Sequence, residues 1–89
     1  MMVWSKKKVK ALVKRYLQRH QPRRYRLEAT EAVRDGAYWY VMIEPDKLNV
    51  RAFDYSMRLA DTEEDIRDHE KKAPKLLLVP VLPTDPYDR

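Results

Sequence analysis

The chain has 89 residues, of which 44% are hydrophobic and 37% charged, with a formal net charge of +5. That length closes one core and leaves too little apolar surface for a second, so one domain is expected over residues 1–82, with a frayed tail at 83–89. The absence of Cys excludes disulfides, thiolate zinc sites and cysteine nucleophiles, and a single Gly argues against the glycine-rich loops that cradle nucleotide phosphates.

Residues 1–10 are basic but are not followed by the apolar stretch of a secretory signal. The longest apolar run, residues 76–82, is far short of the ~20 residues that span a bilayer. A cytoplasmic protein is the expectation.

In residues 6–20, Val9, Leu12, Val13, Tyr16 and Leu17 fall at i, i+3, i+4, i+7 and i+8, which is one stripe of a helix. Ser5 is placed to cap it, and Pro22 limits it. Next, Tyr25, Leu27, Ala29 and Val33 alternate with Arg24, Arg26, Glu28 and Thr30, and Glu31 interrupts the apolar row. This pattern predicts a strand with one wet face. Arg34, Asp35 and Gly36 supply turn chemistry before the aromatic, β-branched run 37–44, so the two strands should form a hairpin.

After a second turn at 45–49, Phe53, Tyr55, Met57 and Leu59 alternate with Asp54, Ser56 and Arg58, which predicts a third antiparallel strand. Residues 62–72 read as a short surface helix capped by Asp61 or Thr62, with Ile66 as its one strong apolar anchor. Residues 76–82 read as a strand covered on both faces, although Pro80 prefers an edge or a bulge.

The expected fold class is therefore α+β in the order helix-strand-strand-strand-helix-strand, a four-stranded, mostly antiparallel sheet with helices on one face. In its core the first helix should pack Val9, Leu12, Val13, Tyr16 and Leu17 against Trp39, Val41, Phe53 and Tyr55. The order helix, three strands, helix resembles the double-stranded-RNA-binding domain. That family carries a lysine cluster at the start of its second helix, where this chain has Asp61, Thr62, Glu63, Glu64 and Asp65, so the resemblance stops at element order.

Charge is polarised along the chain: residues 1–27 contain ten Lys or Arg and no Asp or Glu. Lys7, Lys10, Lys14 and Arg15 on the first helix, with Arg24 and Arg26 beyond it, form a candidate nucleic-acid surface. The plainer account is a solvated face, or one neutralised by the acidic second helix. A second candidate is the sheet face turned away from the helices. If Trp39, Val41 and Ile43 point inward, then Tyr38, Tyr40 and Met42 point outward, with Arg24, Arg26 and Arg58 expected beside them. Such a face suits either base stacking or a protein contact, of which a homodimer is the simplest, unless the tail or Trp4 covers it.

Catalytic signals are weaker. His20 and His69 lie outside any recognised motif, and Asp65 with His69, or Glu64 with Asp68, supply too few ligands for a metal. Neither Ser5 nor Ser56 has a nucleophile turn, and Asp54 and Glu44 read as ordinary strand charges. The sequence therefore predicts a non-enzymatic interaction module without a metal or cofactor, its partner being itself or another protein. Nucleic-acid binding, to RNA or DNA, is the alternative.

Overall fold

A computed structural model of the chain describes residues 4–47 and 50–81. Helix α1 (Lys6–Leu17) runs into a single 3₁₀ turn (Gln18–His20) and is followed by the hairpin β1 (Leu27–Asp35) and β2 (Tyr38–Pro45). Helix α2 (Ala52–His69) then crosses to β3 (Lys75–Pro80). The sheet has three strands in the order β1-β2-β3, antiparallel between β1 and β2 and parallel between β2 and β3. The expected four-stranded, mostly antiparallel sheet is thus corrected to a three-stranded mixed one, built from a hairpin and a β2-α2-β3 crossover.

Helix α1 forms as its sequence dictates. The Ser5 side chain accepts the Lys8 N–H at 3.2 Å, which caps the first turn. Val9, Leu12, Val13, Tyr16 and Leu17 are all buried. The hairpin is also as read, with Gly36 at φ +63° opening the two-residue loop where a primed turn needs a positive φ.

The predicted third strand does not exist. Residues 53–59 lie in α2, and the helix expected over 62–72 is only its second half. Tyr55, Leu59, Thr62 and Ile66 fall at i, i+4, i+7 and i+11 and make the buried stripe of one 18-residue helix. Phe53 therefore leaves the predicted core and is 67% exposed. Thr62 reads as a cap but is fully buried, its hydroxyl donating to the Arg58 carbonyl at 2.7 Å one turn back. With the third strand gone, the helix, three-strand, helix order shared with the RNA-binding family is gone as well.

One core joins both helices to one face of the sheet: Leu27, Ala29 and Ala32 from β1, Trp39, Val41 and Ile43 from β2, and Leu78 from β3. A β-bulge at Thr30 sets the register. Without it Glu31 would follow Leu27 and Ala29 inward. With the extra residue, Ala32 turns in against Val41 while Glu31 and Val33 turn out against Met42 and Tyr40. The bulge corrects the expectation that Val33 shares the inner row. The strand expected over 76–82 is β3 at the sheet edge, ending at Pro80 and, among the described residues, covered on one face only; residue 82 and the predicted tail at 83–89 lie outside the described residues.

Candidate functional site

The two ladders fix what the sheet face turned away from the helices displays. One row is Asp35, Tyr38 and Lys75, the next Val33, Tyr40 and Leu77, and the next Glu31, Met42 and Val79, with Glu28 and Glu44 beyond. Val33, Tyr38 and Leu77 are exposed, while Tyr40, Met42 and Val79 are half-buried by their neighbours. Tyr38, Tyr40 and Met42 thus stand outward as predicted, at the middle of an apolar strip three strands wide. The sequence leads one to expect that a row of the last strand extends this strip, as Leu77 and Val79 do, but it misses Val33, whose place on this face depends on the bulge.

The arginines expected beside the tyrosines are elsewhere. Arg58 is on α2, where its Nη1 donates to the carbonyls of His20 and Gln21 at 3.3 Å each, holding the end of the 3₁₀ turn. Arg24 and Arg26 precede β1, and the Arg26 N–H is bonded to Asp46 Oδ1 at 2.9 Å. Charges in the rows of the face are instead Glu28, Glu31, Asp35 and Glu44 against Lys75, whose Nζ lies 5.6 Å from the Tyr38 ring centroid. Phosphates are repelled by that set.

Both edges of the sheet are obstructed from within the chain. On β1 the Gln21 amide bonds both the N–H and the carbonyl of Leu27, at 2.7 and 2.9 Å, as a paired strand would. On β3 the Glu63 carboxylate accepts the Leu78 N–H at 2.9 Å, and Pro80 has no N–H to offer. Edge-to-edge pairing is therefore blocked at these points, while among the described residues nothing covers the outward face.

The helical layer carries the other candidate. Lys7 and Lys14 are exposed and Lys10 half-buried along α1, and among the described residues none of the three has an ion pair. Further along, the acidic face of α2 does neutralise α1. Arg15 meets Glu70 at 3.1 Å, Arg19 meets Asp65 at 3.7 Å, and the Tyr16 hydroxyl donates to the same Glu70 oxygen at 2.6 Å. Asp65 also gathers His20 Nε2 at 3.2 Å and His69 Nδ1 at 2.9 Å. Asp65 and His69, four apart on α2, meet within that helix, and it is Arg19 and His20 that make Asp65 a latch between α2 and the 3₁₀ turn. Among the described residues no three His, Asp or Glu side chains are grouped to hold a metal ion.

The hydrogen bond from His20, with the charges of His69 and Arg19, holds the Asp65 carboxyl below its ordinary value. A lowered value means that the folded state binds fewer protons at Asp65 than the unfolded chain does. The latch is then fully effective above the usual carboxylate pKa of about 4 and is lost as pH falls through the lower folded value. Asp65→Asn should flatten the acid limb of stability against pH in urea titrations at successive pH values. An unchanged acid limb contradicts the latch.

Two further features remain on the surface: Phe53 and Met57 on the outer side of α2, and a cleft between α2 and the start of β3. Among the described residues no helix is long and apolar enough to cross a membrane. No known protein family, curated protein or solved structure matches the chain.

Proposed function

We propose that the chain is a non-enzymatic protein-interaction module that self-associates through its open sheet face, around Tyr38, Tyr40 and Met42. The observation that carries this reading is the order of side chains along the rows of the face. A two-fold axis parallel to the strands and lying over β2, midway between the two faces, leaves each row opposite itself with its ends exchanged. Asp35 then lies over the second copy's Lys75, Val33 over its Leu77, and Tyr40 and Met42 over their own counterparts. Turning the copies end to end instead sets Asp35 near Glu28, acid against acid, so the charges select the first arrangement.

Burial supplies the driving force, at ~25 cal/mol for each Å² of apolar surface removed from water. Two sheets packed with nearly aligned strands also form an ordinary sandwich core. Obstruction at Leu27, Leu78 and Pro80 limits the competing edge-to-edge route.

Sedimentation velocity over a wide concentration range tests the reading. The wild-type chain should move from monomer to dimer, and Tyr40→Lys should remain monomeric with an unchanged circular dichroism spectrum. A wild-type chain that stays monomeric at high micromolar concentration rejects the homodimer.

Nucleic-acid binding keeps one support, the lysine stripe Lys7, Lys10 and Lys14, while the acidic rows of the sheet face count against a stacking platform there. Mixed-sequence RNA or DNA titrated at low salt distinguishes the two. Binding that weakens steeply with salt and is reduced by changing the three lysines to Gln would support the alternative.

A further inference from the structure

A cleft lies away from the middle of the sheet. The C-terminal half of α2, the connection that follows and the start of β3 enclose a cleft of about 560 Å³, within the size range of ligand pockets. Ile66, Ala73, Pro74 and Leu76 give it an apolar lining. Three cations, Arg67, Lys71 and Lys75, stand on its walls, and among the described residues none is in an ion pair.

Both carboxylates of the lining are already engaged. Glu70 accepts from the Tyr16 hydroxyl and from Arg15, and Glu63 accepts the Leu78 N–H. Glu70 is offset by Arg15, so Arg67 and Lys71 alone outnumber the one remaining carboxylate, Glu63, and the cleft carries net positive charge beside an apolar floor, which calls for an anionic group on an apolar body.

The backbone of β3 narrows the choice. Since the Leu78 N–H points to the free edge, alternation along the strand turns the N–H and carbonyl of Leu76, two residues earlier, to the same edge. Among the described residues no side chain takes them up. An extended peptide can thus add one bridge at Leu76, but it can run no further, because Glu63 occupies the next donor and Pro80 lacks one. A site one bridge deep, closed ahead and lined with cations, suits the end of a chain rather than a strand passing through.

We infer that this cleft binds the C-terminal end of an apolar peptide from another protein. The terminal carboxylate lies between Arg67 and Lys71, the last apolar side chains lie against Ile66 and Leu76, and the peptide backbone pairs with Leu76. Tyr38, Lys75 and Leu77 belong also to the rows of the sheet face, so Arg67 and Lys71 are the anchors that distinguish the two sites.

Fluorescence anisotropy tests the site with a fluorescein-labelled peptide ending in Val-Leu-Val, used both as the free acid and as the C-terminal amide. The acid should bind at least about tenfold more tightly, the effect of losing one charge-assisted contact. The double substitution R67E/K71E should abolish that preference while leaving the sedimentation profile and helix content of the chain unchanged. Octanoate should compete only at far higher concentration than the unlabelled peptide. Equal affinity for acid and amide, no binding even at millimolar peptide, an unaffected double variant, or octanoate competing as well as the peptide would each overturn the proposal. Because sedimentation is read on the same samples, failure here is distinct from failure of the sheet-face dimer.

Discussion

Tyr55→Ala should cost about 3–5 kcal/mol of folding stability, whereas Phe53→Ala should change it by less than about 0.5 kcal/mol. These two residues lie two positions apart. In a strand they would share a face and lose similar amounts, but α2 turns them about 200° apart. Tyr55 is fully buried, its ring edge-on to Tyr25 at 6.2 Å between centroids and its hydroxyl donating to the Val81 carbonyl at 3.1 Å. Burial also raises its hydroxyl pKa. Phe53, and Met57 one turn later, face solvent.

Removing the Tyr55 ring opens a cavity where α2, residues 21–26 and the end of β3 meet, and the loss is a large share of the ~5–15 kcal/mol that holds a small domain together. Tyr55→Phe keeps the ring and should cost about 1 kcal/mol, the hydrogen bond alone. Urea titrations of the three variants decide the matter. Comparable losses for Phe53→Ala and Tyr55→Ala would contradict the helix.

The same segment shows where the sequence is ambiguous. Residues 53–59 alternate as a strand does, yet Tyr55 and Leu59 are also the first two members of a helical stripe. The deciding signal is its continuation through Thr62 to Ile66. That continuation is easily missed, because a threonine ahead of three acidic residues also looks like a helix cap. Period alone does not separate the two states over a short run; length does.

On α1 no such conflict arises, since five large apolar residues keep helical spacing and a serine caps the start. The hairpin is equally legible from Asp35 and Gly36. By contrast the bulge at Thr30 leaves one local trace, Glu31 in an otherwise apolar row. From that trace alone the outward turn of Val33 does not follow, because it takes the partner strand to show which residue is extra.

Of the sheet face, the outward set Tyr38, Tyr40 and Met42 follows from alternation within one strand and is legible. That a row of the last strand extends it is legible too, but not which residues pair with which. Lys75, Leu77 and Val79 join the face only because α2 carries the chain across to lay β3 parallel to β2, and a long-range pairing of that kind leaves no local mark. The expected companions Arg24, Arg26 and Arg58 are displaced for the same reason: Arg58 changed element with the lost third strand, and β1 starts only at Leu27. That exchange of arginines for carboxylates moves the weight of the face from nucleic acid towards protein.

Charge reversal at Asp35 and Lys75 reads the proposed two-fold arrangement itself. Both residues are exposed at the ends of one row, and in the single copy they are separated by Tyr38. Across the axis each meets the other twice per dimer, so any reversal acts twice. D35K sets lysine against the partner's Lys75, and K75D sets aspartate against the partner's Asp35. With like charges juxtaposed in both symmetric contacts, either substitution should weaken dimerisation by roughly 100-fold, about 2.7 kcal/mol.

Combining D35K with K75D restores opposite charges at both contacts and should recover most of the wild-type affinity, a coupling that only direct proximity produces. The measurement is the dimer dissociation constant by sedimentation equilibrium for the wild type, the two single variants and the double variant at one low salt concentration. Self-association through the sheet face about this axis predicts two weakened single variants and a recovered double. A wild-type dimer whose affinity the single reversals leave unchanged, or whose losses simply add in the double variant, would contradict it.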